Sequence, residues 1–317
     1  MNPLVSIVIP YYDHSAYLRQ AVESALAQTY TNLEVIVVDD ASPVEDAREL
    51  LVDLVKSADR KLKVIRRETN GGSASCKNTG VIHSRGEFIL PLDSDDFLDA
   101  QYAETMLAAM FKSSTNTASA SASASSSSSS SSELSGAYSQ TQLFGMQDFV
   151  HVPECTILDI MSGKPAPTTF LYSRKMFDEL EGYNTNVYHD DDEFWLRALS
   201  REHRFVRVEK PLYHYRKHGR GKSDSNRAAA LASFAKVHPD LYGKHLPAVL
   251  ESMEQKYFEI ADEYQTLHNA FKELTSHHED LEKRYAELAS QNEQLSKRLS
   301  LRVFEKVKAS LKNPAVR

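Results

Sequence analysis

Four short runs of β-branched and aliphatic residues punctuate the N-terminal third of the chain. Each is nearly free of polar positions, and such runs read as strands covered on both faces. They are Val5-Ser6-Ile7-Val8-Ile9, stopped by Pro10, then Glu34-Val35-Ile36-Val37-Val38, Leu62-Lys63-Val64-Ile65 and Glu87-Phe88-Ile89-Leu90. Between them, stretches at 17–28, 44–57 and 74–83 carry a helical pattern, as at Leu18, Val22, Ala25 and Leu26. Strands alternating with helices predict a mostly parallel sheet flanked by helices. In such sheets ligands bind beyond the carboxyl ends of the strands. Three of those ends carry uncommon residues: Pro10-Tyr11-Tyr12-Asp13, Asp39-Asp40 and Asp93-Ser94-Asp95-Asp96.

A chain of 317 residues can hold one substantial core with an appendage, or two small domains. Its net charge of −7 gives no general attraction to nucleic acid, so nucleic-acid binding is not expected. The two cysteines, Cys76 and Cys155, lie far apart and point to a reducing compartment rather than a disulfide scaffold. Met1-Asn2-Pro3-Leu4 leads directly into a strand without a basic and then apolar leader. No apolar run approaches the roughly 20 residues needed to cross a bilayer. The expectation is a cytoplasmic protein, either free or peripheral at the inner face of the cell membrane.

Residues 1–112 form the first half of an α/β domain, and 113–135 are a Ser/Ala-rich stretch expected to be a flexible surface insertion. A second α/β half covers 136–225, with a strand at 205–208, and 226–248 read as a helical connector. Over 249–300 apolar residues recur in alternating steps of three and four, from Leu250, Met253, Tyr257 and Ile260 to Leu295 and Leu299. His278 and Asn292 occupy seam positions. About seven heptads in one phase predict a left-handed coiled coil, hence a homo-oligomer. Asn292 favours a dimer, and aromatic residues at the seam leave trimers and tetramers open. The segment 301–317 is basic, with Leu301, Phe304, Val307 and Leu311 on one helical face. It reads equally as a helix lying on anionic lipid or as the solvated end of the coil.

Three carboxylates within four residues, at Asp93, Asp95 and Asp96, repel one another unless a cation lies between them. Oxygen ligands of this kind suit Mg²⁺ or Mn²⁺ bridging a diphosphate. The same pattern also occurs at solvated helix N-termini. Asp190-Asp191-Asp192-Glu193 likewise suits either the start of a helix, where the macrodipole favours acids, or a proton-transfer site.

Residues 4–112 resemble an inverting family 2 glycosyltransferase of the GT-A fold. The resemblance rests on Val5 through Asp13, Ala27-Gln28-Thr29-Tyr30, Val37 through Ser42, Asn70-Gly71-Gly72 through Lys77-Asn78-Thr79-Gly80, and Gly86 through Asp96. It continues more loosely at Asp190 through Arg197 and at Pro211 through His218. It implies a metal-dependent transferase that moves a sugar from a nucleotide-sugar, favouring UDP, to a glycan or lipid-linked acceptor. By the same resemblance Tyr12 stacks on the base beside Pro10 and Asp13, and Asp40 accepts from the base imide. Lys77 stands where the family often has Arg and touches phosphate, and Ser94 lies in the donor loop. Asp95, with Asp93 and His218, holds Mn²⁺ or Mg²⁺. Asp191 is the general base, with Asp190 or Asp192 as the alternative position. Thr168, Thr169, Asp190 and Trp195 are acceptor-side candidates.

Two other readings fit parts of the sequence. A nucleotidyltransferase would share the sheet and the metal, but it usually carries a Gly-rich phosphate loop where this chain has Pro10-Tyr11-Tyr12-Asp13. An inactive domain serving a coiled-coil scaffold would not need both Asp95 and Asp191.

Overall fold

A computed structural model describes residues 2–13, 15–43, 45–57, 61–120, 134–153, 155–218 and 227–311. The chain divides into two units, Met1–Leu250 and Glu251–Arg317.

In the first unit, strands β1 (Val5–Tyr11), β2 (Leu33–Asp39), β3 (Leu62–Arg66) and β4 (Phe88–Pro91) alternate with helices α1 (Ser15–Leu26), α2 (Glu45–Ser57) and α3 (Gly72–Ile82). β1 pairs in parallel with both β2 and β4, and β2 pairs in parallel with β3. Every residue of β1 is buried, and the pleat sorts them by face. Val5, Ile7, Ile9 and Tyr11 enter the cluster containing Leu18 and Val22 of α1 and Leu51 and Leu54 of α2. Val8 faces the opposite way, into a cluster with Ala74 and Val81 of α3.

Pro10 does not stop β1, which continues to Tyr11. The Val8 carbonyl accepts from Leu92 N–H on the β4 side. By alternation Pro10 presents its missing N–H to the same flank, beyond the last β1–β4 pair at Val8 and Pro91.

The remaining strands are β5 (Phe97–Leu98), β6 (Gly136–Gly145), β7 (Phe149–His151), β8 (Leu171–Ser173) and β9 (Phe205–Lys217). The helices among them are α4 (Tyr102–Ala120), α5 (Ile157–Met161), α6 (Arg174–Glu179), α7 (Asp190–Ser200) and α8 (Arg227–Val237). The sheet order is β3-β2-β1-β4-β8-β6-β9-β5, with β7 on β6. Here the mostly parallel expectation gives way to a mixed sheet. β8 runs antiparallel to β4 and β6, β7 antiparallel to β6, and β5 antiparallel to β9, while β6 and β9 are parallel. Only the β6–β7 pairing is local, through the short connection at 146–148; the β4–β8 and β5–β9 pairings join distant segments.

α4 is helical to Ala120, into the segment expected to be irregular from Ser113, and residues 121–133 lie outside the described residues. Trp195 lies in the core of this half. It packs against Phe170, Phe205 and Tyr138 and donates from Nε1 to the Pro167 carbonyl at 2.9 Å.

Helix α9 (Pro239–Leu311) supplies the second unit from Glu251 onward. Its seam residues stand in solvent on the single chain, with Leu267 71% and Tyr285 76% exposed. The basic segment is helical as far as Leu311, and 312–317 lie outside the described residues. Among the described residues no helix is long and apolar enough to cross a membrane.

Gly80 sets how closely α3 approaches the sheet, since a Cβ there would lie 2.3 Å from Val8 Cγ1. Gly80→Ala is therefore expected to destabilise the fold by about 1–3 kcal/mol through overpacking. Urea denaturation checks this, and an unchanged midpoint would refute the contact.

Candidate active site

The carboxyl ends of β1, β2 and β4 open onto a cleft of about 940 Å³. Pro10, Tyr12, Asp13, Asp40, Asp93, Ser94, Asp95, Thr168, Asp190 and Asp191 all line it. Residues far apart in sequence meet there because each sits at a strand or helix end on the same rim.

Asp39 and Asp40 divide their work. Asp39 is fully buried, accepts from Ser42 N–H at 2.9 Å and pairs with Arg66 at 3.2 Å. It thereby holds the turn, in which Ala41 takes a positive φ of 59°. Asp40 receives Arg67 Nη1 at 2.6 Å and the backbone N–H groups of Gly71 and Gly72, the latter at 2.7 Å. The Gly71 N–H reaches both oxygens, at 3.0 and 3.1 Å, so each Asp40 oxygen already accepts two contacts and a ligand N–H would have to share one of them. Tyr12, 46% exposed, presents its ring to the cleft, whereas Tyr11 is buried. Cys76 also lines the cleft, but burial first, and then Asp40, push its thiol up to about 12. At neutral pH it is not a thiolate.

The acidic loop is held by β9, because the pairing of Phe97 with His214 brings 213–218 alongside it. Asp96 is buried, and it accepts from Tyr213 Oη and, at 2.7 Å, from Arg216 N–H. Burial, reinforced by Asp95 and Asp93, raises its carboxyl well above the usual carboxylate range. Arg216 donates from Nε to the Asp95 carbonyl at 2.8 Å, and its guanidinium lies 4.4 Å from the ring centroids of both Tyr17 and Phe144. His218 Nε2 stands 2.9 Å from Asp95 Oδ2, beside Tyr17. A carboxylate and an imidazole this close suit one divalent ion. Among the described residues no cluster of three ligating side chains exists. That donor set fits Mg²⁺ or Mn²⁺ of the kind that shares its shell with substrate phosphates.

At the opposite wall the four acids that open α7 have separate partners. Asp192 Oδ1 accepts from Ala166 N–H at 2.7 Å and fixes the proline-rich turn. Glu193 is fully buried, doubly bonded by Arg197 and 2.8 Å from His238 Nε2. Asp190 and Asp191 share one ammonium: Lys77 Nζ lies 3.0 Å from Asp190 Oδ2 and 2.6 Å from Asp191 Oδ1. Burial drives the Asp191 carboxyl well above its ordinary value. Lys77 opposes the shift, and Asp190 and Asp93 add to it.

Some expected site residues turn elsewhere. Lys77, expected at a phosphate, is buried behind the cleft wall with the two carboxylates. Thr169 is buried with its carbonyl accepting from Tyr102 Oη, so of the two threonines only Thr168 reaches the cleft, bonded to Tyr213 Oη at 3.0 Å. Trp195 is buried in the core and is not among the residues that line the cleft. Arg67, Ser73, Tyr213 and Arg216 were not anticipated. For Arg67 the available signal was its place just past the third strand, at the same rim.

Residues 6–180 match the family described as Glycosyl transferase family 2. The glycosyltransferase GlyG of Streptococcus pneumoniae is 39% identical over 106 residues, which are 33% of this chain and 35% of that protein. An uncharacterized glycosyltransferase of Haemophilus influenzae is 35% identical over 111 residues, 35% of this chain and 44% of its own. The matched segment thus spans well under half of these relatives. Among solved structures, S. aureus TarS aligns over 80% of this chain and 43% of its own at 19% identity, with a TM-score of 0.57. The mannosyltransferase PcManGT from Pyrobaculum calidifontis, in complex with GDP-Man and Mn²⁺, aligns over 74% and 64% at 16% identity and a TM-score of 0.52. At these identities the likeness is one of fold, a mixed α/β sheet of GT-A type. The family match covers more than half of the chain, which therefore belongs to glycosyltransferase family 2.

Proposed function

We propose that the chain moves a sugar from a nucleotide-sugar, with UDP as the favoured nucleotide, to a hydroxyl of a glycan or lipid-linked acceptor, inverting the anomeric carbon. One observation carries the reading: Asp191 and the Asp93–Asp95 pair line a single cleft, so a base and an acidic cation loop can act on one bound donor. TarS in complex with UDP-GlcNAc, 21% identical with a TM-score of 0.51, and PcManGT with GDP-Man and Mn²⁺ support a nucleotide-sugar in this position.

Asp191 is the base of this reading. Burial raises its proton affinity toward what a base needs near neutral pH. The acceptor O–H bond breaks with its proton passing to Asp191, and the oxygen bonds to the anomeric carbon. The bond to the diphosphate opens on the far side, its electron pair leaving with the nucleoside diphosphate. Tyr12 offers a platform for the base, and Asp40 beside it is the acceptor assigned to an imide N–H. Asp95 with Asp93 and His218 would hold Mn²⁺ or Mg²⁺, which would supply positive charge against the departing diphosphate. Thr168 borders the acceptor side.

Glu251 onward serves self-association in this proposal, most simply as a parallel dimer, because burial of so long an apolar seam needs a second helix. Peripheral contact with an anionic membrane surface through the basic 301–317 segment, on the cytoplasmic side, completes the assignment.

Three outcomes are expected. With a panel of UDP-sugars in Mn²⁺, UDP release stops on adding EDTA. In the same assay Asp191→Asn lowers kcat by roughly 10²–10⁴-fold while leaving the donor KM near wild type. Normal turnover by Asp95→Ala would sink the metal assignment. In light scattering, the full chain gives a multiple of its 35.7 kDa mass and a variant ending at Leu250 gives a monomer. Equal subunit numbers for the two would remove the coiled-coil role.

A further inference from the structure

Lys77 is 2% exposed, and its ammonium has three neighbours. Asp190 and Asp191 are bonded to it, and the Tyr183 ring lies 5.2 Å away, centroid to Nζ. An ammonium has three N–H donors, so two carboxylates and a ring face leave none directed to a donor phosphate. Asp191 is held at the opposite end of this arrangement. Its Oδ1 is taken by Lys77, and Oδ2 receives no hydrogen bond from the described residues.

We propose that Lys77 is a positioning residue for the base: it fixes Asp191 through Oδ1, so that Oδ2 receives the acceptor proton, while Asp190 shares the ammonium and limits how much of its charge Asp191 feels. This rests on the reading of Asp191 as base. A side chain carrying a carboxylate on one rotatable stem would otherwise sample several positions in a cleft of this size. A second ion-pair partner on a rigid helix removes that freedom before the acceptor arrives. α3 supplies that partner, anchored against β1 by the close approach at Gly80.

The charged and titratable groups facing Asp191 are few. Lys77 comes from α3, Asp190 from its own helix, Asp93 from the loop after β4, and Tyr183, bonded to Tyr172, from the loop before α7. Lys77 is the only cation among them, against two further carboxylates. Loss of Lys77 therefore makes Asp191 hold its proton to higher pH, and loss of the Asp190 charge lets it release the proton at lower pH.

The test uses the full chain with UDP-sugar, and separately UDP with Mn²⁺. Lys77→Gln should move the acidic limb of kcat/KM to higher pH and lower kcat, and Asp190→Asn should move the limb to lower pH. Calorimetric affinity for UDP in Mn²⁺ should stay within about twofold in Lys77→Gln, because a lost charged phosphate contact would weaken it on the order of tenfold or more. Such a weakening, or limbs that stay put or move the same way, would overturn the proposal. Should Lys77→Gln fail to fold, Lys77→Gln with Asp190→Asn keeps the net charge of the cluster and gives the same affinity readout. ¹³C NMR titration of the Asp191 carboxyl, assigned with Asp191→Asn, reads the opposite shifts without any turnover. A wild type that transfers no sugar yet shows those shifts would defeat the transferase reading and leave the Lys77 pairing standing.

Discussion

A strand with no polar face cannot lie at a surface, and β1 is such a strand. Its seven residues are all buried, four facing one helical layer and Val8 the other. Helices must therefore cover both sides of the sheet, and the chain can cross between them only at strand ends. That requirement gathers Tyr12, Asp40 and Asp93 through Asp95 on one rim without any attraction among them. It also explains why the site is built from loops while its supports are strands: the apolar middle fixes the frame, and the polar ends are free to carry chemistry.

The rim is an electrostatic problem that the fold solves in two different ways. Asp93, Asp95, Asp96, Asp190 and Asp191 crowd one cleft region, and an anionic donor would be repelled by them alone. On the α7 side the protein supplies its own cation, Lys77, so the charge there is settled within the chain. Asp96 is settled by hydrogen bonds from Tyr213 and Arg216. Asp95 is different. Its side-chain partner is His218, and on the proposed reading an external divalent ion would balance its charge here. On the proposed reading, this division would let a metal at Asp95 and a base at Asp191 act without either neutralising the other.

Much of this was legible in the residues, and the illegible part has a common cause. The first four strands and their helices follow from apolar runs and helical spacing, signals carried by neighbours in sequence. β5 and β8 are too short to leave a pattern, and their pairings with β9 and β4 join segments more than eighty residues apart. Pro10 misleads for a related reason: a missing N–H costs nothing when the flank it faces has run out of partner. Asp40, Asp95 and Asp191 stand in motifs, and all three line the cleft. Lys77 also stands in a motif, but its ion pair with Asp191, 114 positions away, is a contact that position in a motif does not encode. Thr169 differs from Thr168 in which way the side chain turns, which spacing does not encode.

The four consecutive acids of α7 are the instructive case, because their sequence suggests one solvated helix start and their environments make four separate groups. Asp192 ties the helix to the 165–167 turn, and Glu193 ties it to Arg197 and to His238, just ahead of α9. Asp190 and Asp191 tie it to α3. Each of these pairs is wholly or partly buried, and removing either member would strand a charge away from water, typically a loss of about 3–5 kcal/mol. The helix is therefore held from several directions by contacts that are costly to break singly. A base does its work only if its oxygen is already where the acceptor hydroxyl will come, since reorganisation during the reaction is paid out of the barrier. On the proposed reading of Asp191 as base, the charges that look redundant in sequence would keep that oxygen still.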